Sequence, residues 1–271
     1  MDIKTIAKHI TSRTNPFIIS VAALQDKKAR ERQGLFVFEG IKLFEEALNA
    51  GFAVEHLIIS ESAAEKYNSR LSTPDPKLHS KTLLVSDPVY AKLTSERSPQ
   101  GIMCVCKMSS CTWITRKVPE EPANLSIILH NLSDPGNVGT IIRTADALGC
   151  FDIYLSDSCA DVFGHGVIRG AMGALFRQRI ILTGDTAALI SSLKARGVSV
   201  HAAAAGSSSQ SLYEAGLSEP YAVIFGNEGN GIPRGITALC DKSLKIPMKE
   251  HAESLNAAVA ASIFMAHAVK G

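Results

Sequence analysis

The stretch Asn131–Gly149, NLSDPGNVGTIIRTADALG, decides how the rest of the chain is read. The apolar run Leu125–Leu129 precedes it, and Val138, Ile141, Ile142, Ala145 and Leu148 recur within it at helical spacing. The pattern predicts a strand, a tight loop and a helix over 138–148. Asp134, Pro135 and Gly136 supply the turn, Asn137 is expected as the N-cap, and Gly149 stands where the helix stops. Open α/β sheets place ligands at the carboxyl ends of their strands, so a polar loop here is a candidate site. Arg143 follows less than two turns after Asn137, and its long side chain can reach back over the loop. The same residues also fit an ordinary strand-to-helix connection with a surface arginine.

Downstream the alternation continues. Strands are expected at 152–155, 179–182, 198–203, 221–225 and 242–246, with helices at 164–173, 186–195, 211–215, 233–238 and 254–269. These strands are short, apolar and rich in β-branched residues, as in a parallel sheet covered on both faces. Upstream, residues 1–110 read as a smaller α/β unit. Ile3–Leu24 is mixed helix and loop; strands are expected at 35–38, 54–59, 82–85 and 101–106, and helices at 41–49, 62–70 and 87–93. Between the two, Lys107–Ala123 is polar, holds two prolines and has no period. The expected division is 1–110, a linker over 111–122 with its boundary near residue 115, and 123–271, although Trp113 and Ile114 point to some packing within the linker.

Length agrees with two domains, since 271 residues exceed the usual size of one. A hydrophobic share of 46%, a charged share of 20% and a net charge of +2 exclude a disordered or strongly basic chain. Residues 1–110 carry 15 Lys and Arg against 12 Asp and Glu and the remainder 13 against 14, so a polyanion is expected on the first part. Lys27, Lys28, Arg30 and Arg32 fall within one and a half helical turns there, a solvated face or a footprint for phosphates. The six cysteines (Cys104, Cys106, Cys111, Cys150, Cys159, Cys240) lack CxxC spacing and nearby histidines, which reads as free buried thiols with no metal site. No apolar leader and no long apolar run appears, so a cytoplasmic location without membrane contact is the default expectation.

Two further loops follow strand ends. Ile224–Ile232, IFGNEGNGI, sets three glycines around Asn227, Glu228 and Asn230, an arrangement that lets a ligand approach the backbone more often than it makes a plain turn. Leu244–Ala257, LKIPMKEHAESLNA, ends a strand at Ile246–Pro247 and opens an alanine-rich helix at Ser254, which is expected as its N-cap. Asn256, inside the first turn, has no such structural role in prospect. Small residues along that helix allow close approach of another helix or subunit. No GxGxxG follows a strand and no P-loop exists; Gly164, Gly166 and Gly170 are wrongly spaced, which excludes the usual dinucleotide design.

Together NxxDPxNxGxxxR (131–143), GNEGxG (226–231) and IPMxxxxxSLN (246–256) resemble the three motifs of the SpoU, or TrmH, branch of the SPOUT RNA methyltransferases. The likeness covers 123–271. GLFVFEGIKLFEEALNAG (34–51) and SPQGIMCVC (98–106) resemble the L30e-like substrate-binding domain attached to many members of that branch. The resemblance implies a C-terminal α/β trefoil-knot domain with a mostly parallel sheet, a homodimer joined through it with a shared active site, and methyl transfer from S-adenosylmethionine to a ribose 2′-hydroxyl of RNA. Carried over by position, Asn137, Arg143, Glu228, Ser254 and Asn256 form the catalytic set, and backbone groups around Gly226, Ile246 and Leu255 hold the cofactor. A guanidinium keeps its proton, so Arg143 is expected to bind a phosphate and stabilise the forming alkoxide, oriented by Glu228 and Asn137, instead of acting as a base. One departure is Ala171 in FGHGVIRGAMGALFR (163–177), where relatives carry a serine; Arg169 remains as an RNA contact. Ribosomal RNA is the expected substrate. The alternatives are transfer RNA, a non-catalytic RNA-binding protein with a decayed knot domain, or another adenine-nucleotide enzyme, which binding of S-adenosylmethionine separates.

Overall fold

The computed structural model describes residues 8–71, 76–149, 151–206, 209–249, 252 and 254–269. Two compact units are present: Met1–Cys111 with Phe163–His165, and Thr112–Val162 with Gly166–Gly271.

The first unit runs β1 (Lys8–Ile10), α1 (Pro16–Ala23), α2 (Lys27–Gln33), β2 (Leu35–Glu39), α3 (Ile41–Asn49), β3 (His56–Ser60), α4 (Glu61–Leu71), α5 (Pro76–His79), β4 (Thr82–Val85), α6 (Asp87–Leu93) and β5 (Ile102–Lys107). Its sheet has the order β1-β4-β3-β5-β2, parallel from β1 to β3 and antiparallel where β5 meets β3 and β2. Ile18 and Val21 of α1, Leu24 just after it, and Val89, Tyr90 and Leu93 of α6 close over Val37, Ile58, Met103 and Val105 of the sheet. The described part of the stretch expected to be mixed is resolved into β1 and α1, the helix being started by Pro16 and by Asn15, whose side chain accepts from the Phe17 N–H at 2.9 Å. Cys104, Cys106 and Cys111 are buried free thiols as expected, and Cys159 and Cys240 of the second unit are free but only partly buried; Cys150 lies outside the described residues.

The basic cluster sits on α2, and its four members do not share one face. Lys27, Lys28 and Arg32 are exposed, but Arg30 is 6% exposed, and its guanidinium donates to the carbonyls of Leu24 and Gln25 at 2.8 and 2.9 Å. The expectation that Arg30 faces RNA is corrected: its guanidinium closes the turn between α1 and α2. Gly34, at φ +66°, then ends α2 in the left-handed conformation and turns the chain into β2.

The second unit runs β6 (Ile114–Thr115), β7 (Leu125–Leu129), α7 (Pro135–Leu148), β8 (Phe151–Ser156), α8 (His165–Ala171), β9 (Ile180–Thr183), α9 (Thr186–Ala195), β10 (Ser199–Ala203), β11 (Gln210–Ser211), β12 (Tyr221–Phe225), α10 (Arg234–Thr237), β13 (Lys242–Lys245) and α11 (Ala257–Val269), with 3-10 turns at Met172–Phe176 and Leu212–Glu214. Eight strands form one wholly parallel sheet in the order β11-β13-β10-β12-β7-β8-β9-β6. Every residue of β7, β8 and β12 is buried, as strands covered on both faces require. On one face Leu189, Ile190 and Leu193 of α9 pack on Ile128, Tyr154, Ile181, Val200 and Ile224. α7 and α11 pack against each other, and Phe264 meets Phe225 edge to face at 5.4 Å. α7 and α8 cross backbone to backbone: a Cβ on Gly139 would lie 2.7 Å from the Gly170 Cα, so only glycine fits there.

The polar interval between the units is less free than its composition indicates. Trp113 Nε1 donates to the Leu175 carbonyl at 2.7 Å, and Ile114–Thr115 pair with Ile180–Ile181 as the sheet's edge strand. Two residues are too few to show a period.

Candidate active site

The loop after β7 is built by hydrogen bonds that short-range sequence rules only partly capture. Asp134, not Asn137, is the N-cap of α7: its Oδ1 accepts from the Asn137 N–H at 2.7 Å, and Pro135 occupies the first turn. The helix therefore starts three residues earlier than expected, and the Asn137 side chain is released from capping. Upstream, Asn131 adopts φ +57°, a left-handed conformation that asparagine tolerates better than most residues. Ser156 at the end of β8 holds it there: the Asn131 N–H donates to Ser156 Oγ at 2.9 Å, and that hydroxyl donates back to Asn131 Oδ1 at 3.0 Å.

Glu228 is the hub. It follows β12 in a loop closed by reciprocal backbone bonds between Asn227 and Gly231, at 3.1 and 2.9 Å. Its carboxylate accepts from the Ser133 N–H and Oγ (3.3 and 3.2 Å), the Asp134 N–H (3.0 Å), Asn137 Nδ2 (3.1 Å) and Asn227 Nδ2 (3.3 Å). Burial pushes its acidity one way and these bonds push it the other. The bonds win, led by its own backbone, the Asp134 N–H and the Asn137 amide, and hold Glu228 below the usual carboxylate range. A carboxylate so fully engaged is a structural anion and a poor proton acceptor.

Asn137 passes the order on. With Nδ2 committed to Glu228, its Oδ1 faces Asn256 and accepts from Asn256 Nδ2 at 2.9 Å. Asn256 in turn caps α11: its Oδ1 accepts from the Ala258 and Val259 N–H groups at 2.9 and 3.2 Å. The expected cap, Ser254, is corrected, because the helix starts at Ala257 and Ser254 lies exposed in the preceding loop. Asn256 has the structural role it was expected to lack, and its amide nitrogen serves Asn137 as well.

Beside this chain opens a cavity of about 590 Å³, lined by Gly226, Glu228, Ile246, Ser254, Leu255 and Asn256 among others. Asn137 and Asn256 also border a shallower groove between α7 and α11 with Val259 and Ile263. Asn137, Glu228, Ser254, Asn256, Gly226, Ile246 and Leu255 are thus brought to one place. Gly226 is needed for a different reason than expected: a Cβ there would meet the Gly231 carbonyl at 2.3 Å, so the glycine admits the loop's own backbone. Arg143 lines neither space. It stands on the exposed side of α7 and makes no hydrogen bond or ion pair among the described residues. Arg169 is exposed on α8. Of the other residues that hold the site, Asn131, Ser133 and Ser156 drew no individual role from the sequence, Asp134 drew only that of a turn residue and Asn227 only a place in the second loop; the left-handed turn at Asn131 could not be read without its partner on another strand.

A cavity that sets apolar side chains such as Phe225, Leu244 and Leu255 beside polar ones such as Asn227, Ser254 and Asn256 suits a small organic cofactor. Among the described residues no group of three or more His, Cys, Asp or Glu could hold a metal ion.

The SpoU rRNA Methylase family model matches residues 124–266, and the MRM3-like substrate binding domain matches residues 15–104. The 23S rRNA (guanosine(2553)-2′-O)-methyltransferase RlmP of Bacillus subtilis is 32% identical over 263 residues, covering 96% of this chain and 98% of that protein. A crystal structure of AdoMet-bound rRNA methyltransferase from Sinorhizobium meliloti superposes with a TM-score of 0.80 at 29% identity, covering 97% of this chain and 98% of that one. The motifs, the cavity they enclose and these likenesses agree: the chain belongs to the SpoU rRNA methylase family.

Proposed function

We propose that this chain methylates a ribose 2′-hydroxyl of ribosomal RNA with S-adenosylmethionine as methyl donor. The observation that carries the reading is the unbroken chain Glu228–Asn137–Asn256, which links the three sequence motifs at the mouth of the 590 Å³ cavity. The residues present fit the cofactor: Phe225, Leu244 and Leu255 offer apolar surface, and the Gly226, Ile246 and Leu255 segments offer backbone groups. Bound there, the sulfonium supplies an activated methyl group; the chain must align and activate the acceptor.

A ribose hydroxyl is a weak nucleophile, so the rate depends on alignment and on stabilising charge as it develops on oxygen. The rigid amide of Asn137 and the cap of Asn256 fix the geometry of the mouth. Arg143, uncommitted among the described residues, is available to hold a target phosphate by its planar fork and to favour negative charge on the 2′-oxygen. Lys27, Lys28 and Arg32 add a polyanion footprint on the first unit.

A second copy of the chain covers the groove between α7 and α11 in this reading. Val259 is 48% exposed there, beside Ile263 and Ala266, which is apolar surface out of place against water. The domain division at 111–122, the knotted path and a cytoplasmic location belong to the same proposal; among the described residues no helix is long and apolar enough to cross a membrane.

Calorimetric titration with S-adenosylhomocysteine, followed by mapping of 2′-O-methyl positions in ribosomal RNA with and without the gene, tests the reading. Saturable binding and loss of one methylated position are expected. Absence of binding, or an unchanged methylation map, overturns it.

A further inference from the structure

Two formally charged side chains belong to the described lining of the 590 Å³ cavity: Glu228 and Lys245. Their circumstances differ. Glu228 accepts five hydrogen bonds, so its acceptor sites are already taken, and as an anion it does not attract a carboxylate. Lys245 is the last residue of β13, its position set by register with Ser211 of β11 and by the buried Leu244 before it. It is partly buried, and no hydrogen bond or ion pair engages its ammonium among the described residues. The rest of the lining mixes apolar side chains, Ala203, Ala204, Phe225 and Met248 among them, with the uncharged polar side chains of Asn227, Ser254 and Asn256.

A lysine that borders a cavity and has no partner among the described residues is available to an anionic group bound there. The cofactor assigned to this cavity carries one anionic group, the α-carboxylate of its methionine part. We propose that Lys245 binds that carboxylate and makes the cavity discriminate against adenosyl thioethers that lack it. The inference rests on the reading of this cavity as the S-adenosylmethionine site and adds to it a side chain that selects the cofactor by charge. Nothing in the three motifs points to this residue, because it precedes the third of them.

The test is calorimetric titration of the full chain with S-adenosylhomocysteine and with its decarboxylated counterpart, 5′-deoxy-5′-(3-aminopropylthio)adenosine, in wild type, Lys245→Met and Lys245→Arg. Wild type is expected to bind the carboxylate-bearing ligand about tenfold or more tightly than the other, the size expected of one charge-assisted hydrogen bond. Lys245→Met should lose most of that preference by weakening S-adenosylhomocysteine alone, and Lys245→Arg should keep part of it. Equal binding of the two ligands by wild type, or an unchanged preference in Lys245→Met, overturns the inference while leaving the methyltransferase reading intact. So does a Lys245→Met variant that keeps its cofactor affinity and loses RNA affinity, because the lysine then belongs to the RNA surface. Wild type binding neither ligand overturns the reading of the cavity and this inference with it.

Discussion

Asn256 Nδ2 donates to Asn137 Oδ1 across 2.9 Å, joining residues 119 positions apart in the chain. The bond fixes both amides, since the other end of Asn137 is held by Glu228 and the other end of Asn256 by the first N–H groups of α11. The cap of α11 and the proposed alignment of Asn137 therefore share one side chain, and substitution can separate them.

Asn256→Asp should keep the cap, because a carboxylate accepts from the same N–H groups, and should lose the donor to Asn137. The melting temperature is expected to stay near wild type while turnover falls about 100-fold, the scale of removing one oriented hydrogen-bond donor from a site. Asn256→Ala should lose both, with about 1 kcal/mol of stability gone as well. Thermal melts and single-turnover methylation separate the two losses; equal turnover in Asn256→Asp and wild type would sink the alignment role.

Glu228 is held below its ordinary value of 4.5, so its bonds stabilise the fold above that pH and the contribution disappears as pH falls through the lower folded value. Glu228→Gln should therefore melt earlier than wild type above about pH 5 and approach it as pH drops below 4.5. Melting curves across pH 3 to 7 (about four units, spanning the carboxylate range) check the sign. A rate profile that follows Glu228 as a base near neutrality would contradict its role as an anchor.

Arg143 makes no hydrogen bond or ion pair among the described residues that a substitution would break, so Arg143→Lys should fold and bind S-adenosylhomocysteine as wild type does. Its rate is expected to fall by about 100-fold, because an ammonium cannot reproduce the forked geometry toward phosphate and a developing alkoxide. Near wild-type turnover in this variant would remove Arg143 from the proposed reaction.

The basic cluster should divide under mutation. Arg30→Met removes a buried guanidinium from two carbonyls and is expected to cost about 1–3 kcal/mol in stability, with unfolding in urea as the measure. Reversing Lys27, Lys28 and Arg32 together should leave the melt nearly unchanged and flatten the salt dependence of RNA affinity, by about one unit of slope for each phosphate that is no longer neutralised.

Val259→Glu with Ile263→Glu should convert a dimer into monomers in light scattering, because two carboxylates would be trapped in the apolar groove between α7 and α11. A monomeric wild type would refute the proposed second copy.

Periodicity alone located most strands of the large sheet, since β7 and β12 match their expected limits and both are unbroken apolar runs. It missed β1, β6 and β11, which have three, two and two residues and take their identity from a neighbouring strand. The motif residues were legible because glycine, asparagine and proline cluster where loops leave strands. Their roles were less so. Asn137 and Ser254 look like caps by composition, yet Asp134 and Asn256 hold those positions, because a cap is chosen by where the helix axis starts and not by residue type alone.

By itself the sequence determined the βα order, the two-unit organisation as an expectation, and the three loops that carry polar groups. Those properties depend on neighbours within a few residues, where side-chain period and turn chemistry decide. Only the tertiary structure decided that Glu228 commits its charge to the Asn131–Asn137 loop, that Arg30 is interior and that Asn256 joins Asn137. Each of those facts is a hydrogen bond between groups that the fold brings together, and a donor's partner cannot be assigned until its distance and angle exist.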